Sequence, residues 1–423
     1  MRLSNPCAVL VFGAIALGFA KVVPADVLKL QQDCSTESPC TCSSDLASIL
    51  KEIHVPNSLH ASCPARQLPG PTNPVLVSIG PGTFNLTNTD YPYCQSLSSI
   101  SFKGAGKIAT TLTGGGFSTQ LPSAYNAFFA PFAVAIEECS NVEFQDLTIQ
   151  QTGTVKSGVL FEGDGGSQWT NVRISVNDAF GTGWGDNGNT STASSLHYWF
   201  DDEIDVKQTG GAAGSGLYTE GASHRIYGSK FVYQGLSTGG AAYGALWLYG
   251  SFDVRVHGSR IAALTQSTTN YTRAVFLGGG FSPPCANATL TTEGSEIEGV
   301  APANATYGAG GIFNACNTGS AMNLQIQGTY FNVSGGATPF RVFDSRVNSP
   351  YSLGSGSNPR TVGTNWSVKG MDTFVETDCS ATLCNHNNLG AASHLLTFDP
   401  GCTNSDSDHG PWYDTVTQKC RGL

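Results

Sequence analysis

The sequence has few charged side chains and no long apolar run past its N-terminal segment. Only 12% of the residues are Asp, Glu, Lys or Arg, and the formal net charge is -10. Proteins that bind nucleic acid or an anionic membrane surface need a basic face, so we expect neither as a partner. No stretch beyond Ala25 is apolar enough to cross a bilayer, so we expect no membrane span.

The usual spacings of metal ligands are also missing. Cys40 and Cys42 are separated by one residue, and no histidine follows them at the distance typical of a zinc site. We therefore expect no metal and no other cofactor.

The segment from Met1 to Ala25 has the features of a secretory signal peptide. Arg2 precedes an apolar run over 8–20, and small residues lead to a plausible cleavage site before Asp26. Its removal would take Cys7 and leave twelve of the 13 cysteines, an even number that predicts disulfides in an oxidising compartment. We expect a secreted, extracellular glycoprotein. Candidate N-glycosylation acceptors are Asn85, Asn189, Asn270, Asn287, Asn304, Asn332 and Asn365.

One short pattern recurs along most of the chain. It reads apolar, any, then Asp, Asn or Gly, then small or apolar, any, apolar. Asp, Asn and Gly tolerate a left-handed backbone, so each copy predicts two short strands that meet at a sharp corner. The strict copies are 144–149, 169–174, 226–231, 256–261 and 326–331.

The repeat interval indicates a solenoid. The last residues of successive copies are roughly 25 to 36 positions apart, within the range typical of repeat architectures. These residues are Ile149, Ile174, Val206, Phe231, Ile261, Ile297 and Phe331. A drifting interval favours a chain that winds around an axis with loops of variable length, over a propeller whose blades each need four strands.

With these corner copies, the chain resembles the right-handed parallel β-helix superfamily of pectate lyases and polygalacturonases over about 75–347. The resemblance implies an all-β, right-handed parallel β-helix solenoid with disulfide-rich caps at both ends. We expect a cysteine-rich N-terminal cap at 26–71, the β-helix at 72–347, and a linker with a disulfide-tied cap at 348–423.

The N-terminal cap contains a predicted amphipathic helix over 44–53. Leu46, Ile49, Leu50 and Ile53 fall at helical spacing, and Ser44 is placed to cap the first turn. Since the first coil of a solenoid leaves strand edges and apolar side chains bare, we interpret this helix as a lid.

Alignment of the repeats predicts an outward row of aromatic side chains on one side of the solenoid. Equivalent residues in stacked coils lie ~4.8 Å apart, so such a row would offer ring faces to sugars. The alternative is that the row is covered and serves as packing. Candidate substrate-binding residues are Tyr218, Trp247, Tyr249, Phe276 and Phe313.

Acidic residues beside this row are the candidate catalytic groups. Glu162 and Glu220 are expected two coils apart, ~9 to 10 Å by strand spacing, at the upper limit for inverting glycoside hydrolysis. Asp201 and Asp202 match the Asp-Asp pair of polygalacturonases, whereas their Gly-His-Gly is replaced around His224. The catalytic candidates are therefore Glu162, Glu220, Asp201 and Asp202.

These features predict a secreted, carbohydrate-active, monomeric protein with a polysaccharide or glycan as partner. The resemblance implies a polysaccharide-degrading glycosidase or lyase acting in a groove along the β-helix. The alternative is a non-catalytic extracellular or cell-wall β-helix that binds glycans or proteins.

Overall fold

The computed structural model describes most of the chain between residues 26 and 421. The described residues are 26–86, 97–114, 132–137, 139–152, 157–162, 165–178, 181–186, 195–210, 214–238, 242–270, 272–278, 288–307, 309–315, 322–327, 329–336, 340–344, 364–369, 395–398, 412–414 and 419–421. The predicted signal peptide, much of the predicted C-terminal cap, Asn189 and Asn287 lie outside them, as do the side chains of Glu162 and Asn365.

Within the described ranges the strands form three sheets, which we call sheets 1, 2 and 3 in the order in which each coil visits them. Sheet 1 has 8 strands in these ranges. They are β7 (Phe132–Glu137), β10 (Ser157–Glu162), β13 (Thr182–Asp186), β16 (Gly214–Glu220), β19 (Ala242–Tyr249), β22 (Thr272–Gly278), β25 (Ala309–Ala315) and β28 (Phe340–Asp344).

Sheet 2 has 15 strands among the residues that the structure describes. They are β1 (Asp26–Leu30), β2 (Cys42–Ser43), β3 (Val75–Ile79), β5 (Ser98–Lys103), β8 (Ser140–Gln145), β11 (Ser167–Thr170), β14 (Leu196–Phe200), β17 (Ser223–Tyr227), β20 (Asp253–His257), β23 (Ala288–Glu293), β26 (Met322–Gln327), β29 (Thr364–Lys369), β30 (Leu395–Phe398), β31 (Trp412–Asp414) and β32 (Lys419–Arg421).

In the described part of the chain, sheet 3 has 9 strands. They are β4 (Gly82–Leu86), β6 (Thr110–Gly114), β9 (Thr148–Gln151), β12 (Arg173–Asp178), β15 (Glu203–Gln208), β18 (Lys230–Gly235), β21 (Arg260–Thr265), β24 (Glu296–Val300) and β27 (Tyr330–Ser334).

Each strand pairs in parallel with the equivalent strand of the next coil. In the β16 to β18 coil, for example, β16 pairs with β19, β17 with β20 and β18 with β21. Crossovers between parallel strands of one sheet are right-handed in about 98% of cases. The chain is a right-handed parallel β-helix, as predicted. At its C-terminal end the pairing of β29 to β32 becomes antiparallel.

The corners between sheets 2 and 3 have the predicted left-handed backbone. The third residue of the corner pattern has φ of 56° at Asp146, 54° at Asn171 and 58° at Asp201. Glycine takes over in later coils, with φ of 59° at Gly228 and 56° at Gly258. Only Gly, Asn and Asp adopt this conformation readily, so the residue type at this position fixes where each coil turns.

The residue after each corner is polar and buried in the later coils, and it links successive coils. The backbone N–H of Asp202 donates to Ser229 Oγ at 3.1 Å, and Ser229 N–H donates to Ser259 Oγ at 3.0 Å. The Ser259 N–H in turn donates to Ser295 Oγ at 3.2 Å. We call this row the corner ladder. It supplies acceptors to buried N–H groups that the strands leave unpaired.

Stacked rings fill the interior behind sheet 2. Phe102 stacks on Phe144, Phe144 on Trp169 and Trp169 on Trp199, with centroids 4.9, 4.7 and 5.2 Å apart. Parallel pairing places equivalent side chains directly above one another, so one ring type repeated in successive coils forms a continuous stack.

The N-terminal cap contains the predicted helix and disulfides. Helix α1 (Leu46–His54) buries its predicted apolar face, but Asp45 rather than Ser44 caps it by accepting from the N–H groups of Ala47 and Ser48. Disulfides join Cys34 to Cys42 and Cys40 to Cys63, and Cys139 is also disulfide-bonded. The 26–71 segment also contributes β1, a strand that the sequence pattern did not predict.

The surface carries several of the candidate glycosylation sites. Asn85 and Asn304 are exposed, and Asn270 and Asn332 are half-buried. Their modification stays a prediction. Within the described part of the chain, no helix is both long and apolar enough to span a bilayer.

Candidate functional site

The aromatic residues of the predicted row on sheet 1 do lie in register on neighbouring strands. Tyr218 pairs with Trp247, Trp247 with Phe276, and Phe276 with Phe313 in consecutive strands. Glu220 pairs with Tyr249 two positions further along. The alignment of the repeats was therefore correct to the residue.

The expectation that this row offers open ring faces is wrong. The side chains of these four aromatic residues are between 2% and 7% exposed, and Tyr249 is buried as well. The rings cover one another, with Tyr218 and Trp247 centroids 4.6 Å apart and Phe276 and Phe313 centroids 5.7 Å apart. A role in sugar binding stays a prediction for Tyr218, Trp247, Tyr249, Phe276 and Phe313, and it would require their uncovering.

Arg273 closes the row further. Its guanidinium carbon lies 4.5 Å from the ring centroid of Phe276 and 4.3 Å from that of Phe313. The indole Nε1 of Trp247 donates to the Gly278 carbonyl at 2.9 Å. Cation–π and hydrogen-bond contacts of this kind hold the rings in a fixed packing arrangement.

Glu220 is the candidate catalytic residue with the most suitable environment. It follows Tyr218 on the outer face of β16 and is half-buried. Burial raises the pKa of the Glu220 carboxyl, and the Tyr218 hydroxyl, which donates to Oε2 at 3.4 Å, partly opposes that effect. A carboxyl group with a raised pKa retains its proton longer and can serve as a general acid.

Two tyrosines lie beside this carboxyl group, Tyr218 on the same strand and Tyr249 in register on the next. Burial and the Glu220 carboxylate both raise the pKa of Tyr218, and the same two causes raise the pKa of Tyr249 to about 12. Both phenols therefore stay protonated at neutral pH and do not act as bases, and Tyr218 donates its hydrogen bond to Glu220.

The strand order confirms the expected separation between Glu162 and Glu220. Strand β13 lies between β10 and β16, so the two glutamates are two coils apart. Strand spacing then separates them by ~9 to 10 Å. The intervening Asp186 is buried and accepts from Thr219 Oγ1 at 3.4 Å. The catalytic role of Glu162 stays a prediction, because its side chain lies outside the described residues.

Asp201 and Asp202 lie elsewhere, at the corner between sheets 2 and 3. The Asp202 side chain is buried, and its Oδ1 and Oδ2 accept from the N–H groups of Val172 and Phe200, each at 2.7 Å. Burial raises the pKa of Asp202 to about 8. Since both oxygens are engaged by the backbone, we reinterpret Asp202 as a structural corner residue; Asp201 provides the left-handed turn.

Sequence reasoning missed a polar surface on sheet 2. Phe200, Tyr227, His257 and Glu293 form an outer row in register on β14, β17, β20 and β23. The signal was present at the second position of the corner pattern, where Tyr227 and His257 stand, but it was not interpreted as a row.

Comparisons with known proteins add only general information. No family model matches the chain, and no curated protein matches it. Among solved structures, pectin methylesterase PemA from Erwinia chrysanthemi is 12% identical with a TM-score of 0.40, covering 76% of this chain and 93% of its own. Pectate lyase Pel9A is 11% identical with a TM-score of 0.39, covering 77% and 80%.

A third solved structure is similar at a lower level. Pectin methylesterase from carrot is 12% identical with a TM-score of 0.29, covering 82% of this chain and 86% of its own. Scores and identities at this level carry no argument about a reaction, because one fold hosts many chemistries. The assignment of function depends on the residues of the site.

Proposed function

We propose that the protein is a secreted polysaccharide-degrading enzyme that uses Glu220 as a general acid on the outer face of sheet 1. The supporting observation is the environment of the Glu220 carboxyl, which is half-buried, has a raised pKa and is hydrogen-bonded to Tyr218. Cleavage of a glycosidic bond requires a proton donor to the leaving oxygen, and such a carboxyl group can supply it.

Hydrolysis is favoured over elimination within this proposal. A lyase needs a base that abstracts a proton from the sugar, and the phenols beside Glu220 have raised pKa values. Hydrolysis needs a second carboxylate, for which Glu162 is the candidate two coils away. A separation of ~9 to 10 Å leaves room for a water molecule and predicts inversion at the anomeric carbon.

The test is turnover on a panel of polysaccharides, followed through both new reducing ends and the absorbance of unsaturated products. We expect reducing ends without unsaturated products. Replacement Glu220→Gln should lower kcat by about 10² to 10⁴-fold, the usual contribution of a general acid. Replacement Glu296→Gln, on the outer face of sheet 3 beside Arg260, is the matched control and should keep full activity. Unchanged turnover in Glu220→Gln would exclude the proposed mechanism.

The second candidate is a non-catalytic extracellular or cell-wall β-helix that binds glycans or proteins. The covered aromatic row of sheet 1 favours it over the enzyme, because an enzyme acting at Glu220 would have no sugar-stacking subsite beside its acid, whereas a binding protein can use another surface. The same panel separates the candidates, since a binding protein would retain glycans without releasing products from any of them.

A further inference from the structure

A second surface feature lies on the outer face of sheet 2, away from Glu220. It is a groove of about 490 Å³ across β17, β20 and β23. That volume is within the range of small-molecule sites, about 300–1,000 Å³. Its lining includes Tyr227, Arg255, His257, Thr289, Thr291 and Glu293.

The groove results from a change of side-chain size along the outer rows of sheet 2. Arg225, Arg255 and Thr291 are consecutive members of one row, and Asp253 and Thr289 are consecutive members of the next. Two arginines in one row are thus followed by the short Thr291, and Thr289 is its short neighbour in the next row, which leaves a step in the surface. Parallel pairing keeps these positions ~4.8 Å apart, so the step has a fixed shape.

The charged groups around the groove pair with one another. Asp253 Oδ2 accepts from Arg225 Nη2 at 2.5 Å and from Arg255 Nη2 at 3.2 Å. Glu293 Oε2 lies 3.4 Å from His257 Nδ1. Two arginines therefore share one carboxylate, and the second carboxylate faces a histidine. The groove offers many hydrogen-bond donors and acceptors without a strong field of one sign.

One wall of the groove is aromatic. Tyr227 stacks on Phe200 with centroids 5.4 Å apart and planes 9° apart, which covers one face of the Tyr227 ring. Toward the groove, the next ring is His257, whose centroid is 6.2 Å away and whose plane is tilted by 56°. Among the described residues, no parallel ring therefore closes the second face of Tyr227.

We propose that this groove is a non-catalytic subsite for a neutral saccharide unit, an inference that rests on the proposed function for the class of ligand. An aromatic wall fits the apolar face of a sugar ring, and Arg255, the threonine hydroxyls and Glu293 fit its hydroxyl groups. The balance of charge selects a neutral sugar over a polyanionic one. The subsite would hold the polymer on sheet 2 while Glu220 acts on sheet 1.

The test is calorimetric binding of neutral oligosaccharides and of uronic-acid oligosaccharides to the full chain carrying Glu220→Gln, which prevents turnover. In that background, Thr291→Arg should fill the step and weaken binding of the neutral oligosaccharide by about tenfold or more, equivalent to ~1.4 kcal/mol. The matched control is Gln168→Arg, in the same outer row several coils away, which should not change the affinity.

A second variant, Arg255→Ala, should also weaken binding, and circular dichroism checks that each variant is folded. Equal affinities for Thr291→Arg and Gln168→Arg, tighter binding of the uronic-acid series, or no binding of either series would overturn the subsite. The two proposals fail separately. Loss of turnover in Glu220→Gln with unchanged binding in Thr291→Arg leaves only the enzyme, and the reverse pattern leaves only the subsite.

Discussion

Two histidines inside the β-helix make its stability sensitive to acid. His197 and His224 are fully buried and stack with centroids 5.0 Å apart. Burial lowers the pKa of His197 from 6.5 to about 3. Burial, His197 and Arg225 lower the pKa of His224 in the same direction. Trp199 Nε1 donates to His224 Nδ1 at 3.2 Å, which requires that nitrogen to be unprotonated.

The sign of the effect follows from these pKa values. The folded protein holds both imidazoles neutral, whereas the unfolded chain binds a proton at each near pH 6.5. The stability that the neutral imidazoles contribute is therefore fully present above pH 6.5, and it is lost as the pH decreases toward 3. At pH 4.5, His197 alone should reduce the free energy of unfolding by about 2.7 kcal/mol, from two pH units at about 1.36 kcal/mol each. His224 adds a loss of the same sign.

Urea unfolding at pH 7.5 and pH 4.5, followed by tryptophan fluorescence, measures this loss. The variant His197→Gln removes the titrating group and keeps a polar partner for Ser167, whose Oγ lies 2.7 Å from His197 Nδ1. Its loss between the two pH values should be smaller than that of the wild type by about 2.7 kcal/mol. The control His257→Gln changes a half-exposed ring and should behave as the wild type. An equal loss in His197→Gln and the wild type would refute the reasoning.

Two further predictions concern the corners. Ser259→Ala removes the acceptor of the buried Ser229 N–H. It should lower the free energy of unfolding in urea by about 1–3 kcal/mol. The control Ser223→Ala, at an outward-facing position, should leave the free energy of unfolding nearly unchanged. Gly258→Ala introduces a side chain at φ 56° with nothing within 4 Å. Strain alone should therefore cost about 1–2 kcal/mol. In Gly228→Ala the new Cβ would also lie 2.6 Å from an Asp201 carboxylate oxygen. This variant should therefore lower the melting temperature more than Gly258→Ala does. Equal decreases in the two variants would exclude a cost from that contact.

The sequence contained enough information to place the coils, because corner and strand alternation are local properties. The repeated pattern predicted the left-handed backbone at Asp146, Asn171 and Gly228. It also predicted that Tyr218 and Trp247 lie in register on neighbouring strands. Alternation states which side of a sheet a residue faces. It does not state what covers that side, and for this reason the buried aromatic row of sheet 1 was expected to be open.

The site was less predictable than the fold for a related reason. Asp202 matched a motif, but one of its two hydrogen bonds comes from the N–H group of Val172 in the preceding coil, a contact that exists only after the chain has wound up. The groove on sheet 2 arises from a size step between Arg255 and Thr291, residues distant in the sequence that become neighbours through pairing. Strand β1 was missed because a short segment beside a cysteine cluster gives little alternation to recognise.

The corner ladder has a direction. Each N–H group of Asp202, Ser229 and Ser259 is satisfied by a hydroxyl from the coil that follows it in the chain. On the ribosome, a bend is thus completed only when the next 27 to 36 residues have emerged, as the spacing from Asp202 to Ser229 and from Ser259 to Ser295 requires. Truncation between two such bends would leave a buried backbone N–H group without its acceptor. Shortened versions of the protein should therefore be designed with a new capping element at the C-terminal end.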